Sequence, residues 1–394
     1  MNLNLTKNKN IYLFFLTLAC VSGIGTFFIP ALLCFIIYYC KNRKELLDDL
    51  SSLKQYKSSL FFMMLFLVTL FISGLFAESD TWLKLVRNNF QRMIPFIFVI
   101  VGLNGKELFN EKIKYILFAC CLGVFIICIP VLDKILIDGL YRPSSILGGP
   151  NILGGTLILV LPLMLSFISM ISDNKKICIL SIISICILLI TLLLIKSRGS
   201  WLGLGVMFAV IPFVLYKIKA ITFKRLIFIE VILCVLVAGG YLTFYEDLHR
   251  NYDFERPALR KIAWQMFLAN PIAGVGAGNF ISTYVNENYV SPLVNSKHIL
   301  VHPHNIYFNY LSEHGILGFC GFIVLIIFQL NILYKSVVKN NNMISIAMFL
   351  AMFAMLAHGW FDVCFTARYY AMTYWLLWGV VCYSIANKTK EVTD

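Results

Sequence analysis

The stretch ICILSIISICILLITLLLI, residues 177–195, decides the fold. Its 19 residues carry no charge, close to the ~20 that a helix needs to cross a hydrocarbon core at about 1.5 Å per residue. Lys175-Lys176 precede it and Lys196-Ser197-Arg198 follow it, so the middle is made for lipid and the ends are not. Backbone N–H and C=O groups in hydrocarbon must bond internally. A run of this length without period-2 alternation does so as a helix, not as a barrel strand.

Working outward, runs of the same kind fall at 11–22, 24–40, 58–77, 89–103, 113–131, 149–171, 199–216, 222–245, 306–334, 343–361 and 367–386. The 394 residues are 60% hydrophobic and 13% charged, with mean hydropathy +0.82, whereas a soluble domain has about 25% charge. That much apolar surface does not fit inside one core, so lipid is the solvent and a soluble protein is excluded. The net charge of +13 does not describe a nucleic-acid surface, because the Lys and Arg residues sit in short turns between the apolar runs. Cysteines such as Cys20, Cys34, Cys120, Cys121, Cys128, Cys178, Cys186 and Cys234 lie inside the runs and read as small apolar residues, with no disulfide framework and no CxxC motif. Met1–Asn10 is short and polar and leads into a first anchor that is kept.

Residues 11–40 read either as one long helix or as a hairpin turning near Ser22–Gly25. Charge separates the two. With a hairpin and an inner N-terminus, 20 of the 33 Lys and Arg residues fall on the cytoplasmic side, including Lys7, Lys9 and the 41–57 cluster. The expectation is an all-α polytopic membrane protein of about twelve transmembrane helices, a single integral membrane domain over 1–394 with both termini cytoplasmic. One large loop, 246–303, lies outside between the ninth and tenth helices and contains short helices. Arg142, Arg198, Asp362 and Arg368 come out on its side, where no ATP or nucleotide sugar is available. A substrate held there needs a lipid carrier.

Several residues on that side can carry chemistry. Arg198, in Lys196-Ser197-Arg198-Gly199-Ser200-Trp201, is either an interfacial anchor or a guanidinium fork for an anionic headgroup, with Gly199 permitting close approach. Residues 256–269 read as a short helix, with Pro257 in its first turn and Asn270-Pro271 as its stop. Arg260, Trp264, Phe267 and Leu268 share one stripe of it, which suits a helix lying on the membrane and equally suits docking of the loop. Gly274-x-Gly276-x-Gly278 follows no strand, so it reads as tight backbone packing and not as a nucleotide loop. His302-Pro303-His304-Asn305 precedes a helix. As a zinc pair it lacks a third ligand other than His298, whereas the positive end of the helix dipole favours a neutral, proton-accepting imidazole. A capping role remains open for it. His314 and His358 read as packing residues. The loop acids Glu246-Asp247 and Asp253-x-Glu255 do not resemble a metal–diphosphate site, which favours a metal-independent transfer with no cofactor.

Four stretches then carry a resemblance: Gly149-Pro150-Asn151-Ile152-Leu153-Gly154; Ser197-Arg198-Gly199-Ser200-Trp201; Arg260-x-x-x-Trp264 with Pro271-x-x-Gly274-x-Gly276-x-Gly278-Asn279-Phe280; and His304-Asn305 followed by Gly315-Ile316-Leu317-Gly318. In this order the sequence resembles the O-antigen ligase and polymerase superfamily over about residues 140–385. The resemblance implies a GT-C-like glycosyltransferase of the bacterial inner membrane, with its active site facing the periplasm. It implies transfer of O-antigen from an undecaprenyl-diphosphate carrier to a sugar hydroxyl of lipid A-core, with inversion and without metal, nucleotide or nucleic acid. It implies that Arg198 and Arg260 grip the diphosphate and that His304 activates the acceptor. Arg256, Asp362, His302 and Arg142 are secondary candidates, Asp362 as the residue orienting the histidine. The short loop 132–148, holding only Lys134 and Arg142, favours a ligase over a polymerase. A transporter or flippase would show internal repeats and mid-membrane charges, and the charges here are expected at helix ends.

Overall fold

The computed structural model describes residues 9–76, 82–105, 108–171, 173–243, 255–286 and 302–393. Lys7, Glu246, Asp247, Asp253 and His298, used above, lie outside the described residues. Among those described, the chain is helical with no strand. In order the helices are α1 (Lys9–Ser22), α2 (Phe28–Lys41), α3 (Arg43–Ser52), α4 (Lys57–Phe76), α5 (Trp82–Leu103), α6 (Phe109–Leu136), α7 (Pro150–Met170) and α8 (Lys175–Leu194). They continue with α9 (Arg198–Lys217), α10 (Phe223–Thr243), α11 (Glu255–Ala269), α12 (Phe280–Asn286), α13 (Ile306–Asn340), α14 (Met343–His358) and α15 (Arg368–Thr393).

Each of the twelve apolar runs falls on one of these helices. Six helical segments are long and apolar enough to cross a membrane: Arg43–Phe76, α6, α7, α8, α9 and α13. Lys9–Ser22, Gly25–Lys41 and Met343–His358 are apolar but shorter. The outer helices turn large apolar side chains outward. On α8 alone, Ile179, Ile182, Ile190 and Leu193 are each about half exposed or more. Such a surface is stable only against lipid, and the chain is a multi-pass membrane protein.

The segment 11–40 is a hairpin. Gly23 takes φ +73° and a one-turn 3₁₀ helix follows at Gly25–Phe27. The positive φ favours glycine there, and an added Cβ would also meet Leu147 Cδ2 at 2.3 Å, so that the leucine would have to shift. Antiparallel packing brings the Tyr12 and Phe35 rings to 5.3 Å. Where the hairpin ends meet, a buried polar cluster ties α1, α2, α3, α5 and α6 together. Lys9 Nζ pairs with Asp49 and, at 3.0 Å, with Glu45. Asn104 Nδ2 and Tyr39 OH donate to Asp49 at 2.8 and 2.6 Å, and Lys112 Nζ donates to the carbonyls of Leu103 and Asn104 at 2.6 and 2.7 Å. Removing one partner from such a cluster leaves an uncompensated buried charge, which costs about 3–5 kcal/mol. Because Glu45 still faces Lys9, Asp49→Ala is expected at the lower end, about 3 kcal/mol, read as a lowered unfolding midpoint of the purified protein in detergent.

Helix α15 is the core of the bundle. From Tyr370 to Ser384 every residue is buried, including Trp375 and Trp378, the pattern of a helix covered on all sides. Gly379 lets it approach α5, where a Cβ would meet Val99 Cγ1 at 2.3 Å. Thr373 Oγ1 donates to the Cys20 carbonyl of α1 at 2.9 Å. Charges are not confined to helix ends: Arg92 and Glu230 lie well inside α5 and α10. Arg92 keeps part of its hydrogen-bonding local, with Nη1 donating to Asn89 Oδ1 at 3.2 Å.

Candidate active site

The residues that pointed to chemistry meet at the end of the bundle opposite the Lys9–Asp49 cluster. The connection 359–367 between α14 and α15 passes through the middle. Asp362, buried there, has its Oδ1 3.4 Å from His302 Nε2 and 3.7 Å from His304 Nδ1. The two imidazole rings lie 4.4 Å apart. Val363 N donates to the same Oδ1 at 2.7 Å, and Asn151 Nδ2 donates to Oδ2 at 2.6 Å. Burial alone would raise the Asp362 carboxyl. The ring nitrogens of His302 and His304 that face it outweigh burial and hold the group well below the ordinary carboxylate range. Asp362 is therefore ionised at neutral pH and is able to accept from the ring nitrogens that face it.

His304 is set by its backbone as much as by Asp362. Asn305 caps α13, its Oδ1 accepting from Tyr307 N and Phe308 N at 3.0 and 3.1 Å. Its Nδ2 donates to the Trp360 carbonyl at 3.2 Å, and Ile306 N donates to Gly359 O at 2.8 Å. His304 precedes the cap with φ +48°. Among the described non-glycine residues with positive φ, Arg142 (+54°) and Lys196 (+50°) also border this region, and such strain gathers where a function over-determines the backbone. His304 Nδ1 faces Asp362 at 3.7 Å.

Arginines from three elements surround this pair. On α11, Arg260 Nη2 donates to Trp360 O at 2.9 Å with its guanidinium 5.3 Å from the Trp360 ring centre. Its buried Nε has no hydrogen-bond partner among the described residues. Arg256 Nη1 donates to Phe361 O at 3.3 Å. Arg142 Nη2 donates to Asn151 Oδ1 at 3.1 Å, and Ser197 Oγ donates to the same oxygen at 3.0 Å. Arg198 opens α9 beside Ser197. The next residue, Gly199, lies so close to the 358–361 segment that a Cβ would be 3.0 Å from His358 Cδ2 and Phe361 Cβ. Gly199 thus serves helix packing, and the close approach it permits is to the protein's own His358.

Helix α11 is held by an interlock of glycines. Gly315 interrupts α13 with φ +59° and ψ −161°, and a Cβ on it would lie 2.4 Å from the C and O atoms of Ile272. Gly274, at φ +71°, meets Ser312–His314 backbone equally closely. The freed backbone groups pair across the gap: Val275 N to Ser312 O at 2.8 Å, Gly276 N to Glu313 O at 3.1 Å, Ile316 N to Pro271 O at 2.8 Å and Leu317 N to Ile272 O at 3.3 Å. The glycine-rich turn therefore packs backbone on backbone against a broken helix. The face of α11 that packs is Leu259, Ile262, Ala263 and Met266, all buried, while Trp264 and Leu268 of the expected stripe are 43% and 59% exposed. That apolar outer stripe suits contact with lipid.

Asn151 is the residue that reading the sequence missed. It was visible only as the third letter of Gly149-Pro150-Asn151 at the start of α7, yet it bridges Asp362, Arg142 and Ser197. The zinc argument also changes. Asp362, distant in sequence, supplies the third donor, and one ligand atom from each of His302, His304 and Asp362 lies within 4.8 Å of the others. His314 and His358 are buried, as expected of packing residues.

Fold and cluster together define a multi-pass membrane protein with a histidine–carboxylate pair ringed by arginines at one end of its bundle. Residues 183–323 match the family model described as O-antigen ligase (Wzy_C). That segment, from α8 into α13, is similar to the O-antigen ligase family over about a third of the chain. The match contains Arg198, Arg256, Arg260, His302 and His304 and ends before Asp362. No curated protein matches the chain.

Proposed function

We propose that the chain is an O-antigen ligase, moving O-antigen from undecaprenyl diphosphate to a sugar hydroxyl of lipid A-core at the periplasmic face of the inner membrane. In this reading it crosses the membrane about twelve times with both termini cytoplasmic, and loop 246–303 lies over the site. The observation that carries it is the Asp362 carboxylate shared by His302 and His304 under the arginines of α11. Asp362 orients His304 through Nδ1, leaving Nε2 to take the proton of the acceptor hydroxyl. The oxygen attacks the anomeric carbon with inversion, and the diphosphate leaves with the bonding pair, its charge met by Arg198 and Arg260. Arg142, with Asn151, fixes the far oxygen of Asp362.

A charge-assisted hydrogen bond contributes about 1.5–3 kcal/mol, or roughly 10- to 150-fold in rate when made to the leaving group. Arg198→Ala and Arg260→Ala should each lower transfer by about that factor, with Lys a partial substitute because it lacks the planar fork. The measurement is transfer by the purified protein given lipid-linked O-antigen and lipid A-core, with and without chelator. Longer carrier-linked chains in place of glycosylated lipid A-core would make it a polymerase. A second reading is favoured by the His302, His304 and Asp362 donor set, since two imidazoles and one carboxylate suit zinc. Transfer abolished by chelator and restored by zinc would establish that reading over the metal-independent one.

A further inference from the structure

A second feature lies at the same end of the bundle and has no part in the chemistry above. Between α1, α2, α5 and α15 runs a cavity of about 310 Å³, walled by Leu16, Phe28, Leu32, Phe98 and Met372, with Gln91 and Arg368 at one end. From Gln91 to Phe98 it follows two turns of α5, roughly 10 Å, a good part of one leaflet's hydrocarbon depth. Leu32 is half exposed, so the groove opens sideways to lipid. Pro95, also in its wall, has no N–H to donate to the Gln91 carbonyl, which leaves a backbone acceptor near the polar end.

That polar end is cationic. Arg368 is exposed and its guanidinium lies over the ring of its own neighbour, Tyr369, at 5.8 Å. Among the described residues Arg368 has no carboxylate within 4.0 Å. A guanidinium group at the mouth of an apolar groove at a membrane boundary calls for an anionic headgroup with a hydrocarbon tail.

We propose that this groove seats one acyl chain of the phosphorylated glycolipid acceptor, with its phosphate against Arg368 and Gln91. The inference rests on the ligase reading, in which two lipid-borne substrates must meet and so need two seats. The donor's seat is set by Arg198 on α9 and Arg260 on α11. The groove lies against α15, at the other end of the connection that carries Asp362, and Asp362 and Arg368 are six residues apart. A substrate anchored at Arg368 thus presents its sugar toward Asp362 and His304 from the side away from α9 and α11.

The test uses the full chain in nanodiscs and lipid A carrying a diazirine on one acyl chain. Cross-links should map to groove residues such as Phe28 and Met372, and unlabelled lipid A should compete. Arg368→Gln and Leu32→Trp should each reduce labelling at least fivefold while leaving labelling by a diazirine-bearing polyprenyl diphosphate unchanged. Labelling elsewhere, equal competition by undecaprenyl phosphate or phosphatidylglycerol, or labelling untouched by both variants would overturn the proposal. His304→Ala separates the two readings, because it should stop transfer and leave the lipid A label in place. Lost transfer without groove labelling sinks only the groove, whereas groove labelling with transfer intact in His304→Ala sinks only the proposed mechanism.

Discussion

His304→Ala is expected to lower glycan transfer by about 10²–10⁴-fold, the contribution of a positioned general base, while the protein still accumulates in the membrane. The side chain touches Asp362 and the ring of His302, and the structural work at this point is done by Asn305, which caps α13 and bonds the Trp360 carbonyl. His304→Asn is a second variant, since Asn tolerates the left-handed region that His304 occupies at φ +48°. Both should give the same loss. In a ligase-null strain, a normal ladder of O-antigen-bearing lipopolysaccharide from either variant would remove His304 as the base. His302→Ala is the necessary companion, because His302 Nε2 lies nearer to Asp362 than His304 Nδ1 does. If His302→Ala stops transfer and His304→Asn does not, the two histidines exchange roles.

Gly315→Ala is expected to have the largest effect on the structure. Gly315 occupies a backbone region open essentially to glycine alone, which costs another residue about 1–3 kcal/mol. Its new Cβ would also fall within 2.4 Å of Ile272 backbone that no rotamer change can clear. The four backbone hydrogen bonds that clasp the 271–276 turn would be strained or lost, each worth about 0.5–1.5 kcal/mol. A total of about 3–5 kcal/mol would appear as a lowered unfolding midpoint. Transfer should fall as well, because α11 would no longer hold Arg256 and Arg260 against the 360–361 carbonyls. Gly205→Ala is the control: Gly205 has nothing within 4 Å of an added Cβ and sits in α9 at ordinary helical φ, so it should be neutral. An unchanged midpoint and unchanged transfer in Gly315→Ala would contradict the interlock.

Much of the fold was legible because lipid imposes a one-dimensional rule. An apolar run of sufficient length must become a helix, so each of the twelve runs marks a helix, with ends that differ by up to seven residues. The α1–α2 hairpin was legible through charge, which distributes along sequence in a way that needs no tertiary contact. The reach of the rule stopped at the loop. Trp264 and Leu268 suited a stripe facing the membrane and a docking stripe equally, and the buried face of α11 is Leu259, Ile262, Ala263 and Met266. A helix with a lipid side and a protein side offers two apolar stripes, and period 3.6 alone does not say which one meets protein.

The site divides in the same way. The sequence by itself determined that this is a membrane-embedded helical chain, singled out Arg198, Arg260 and His304 as candidates, and marked Gly274, Gly276 and Gly278 as a place of close backbone packing. Only the tertiary structure decided that Asp362 stands between His302 and His304, that Asn151 ties it to Arg142 and Ser197, and that Gly199 and Gly315 face the protein's own backbone and side chains. The physical reason is separation along the chain. Asn151 and Asp362 are 211 residues apart and join across 2.6 Å, a contact produced by the packing of α7 against α14 and α15. Hydropathy and spacing report what each segment must be surrounded by, and they are silent on which segments end up side by side.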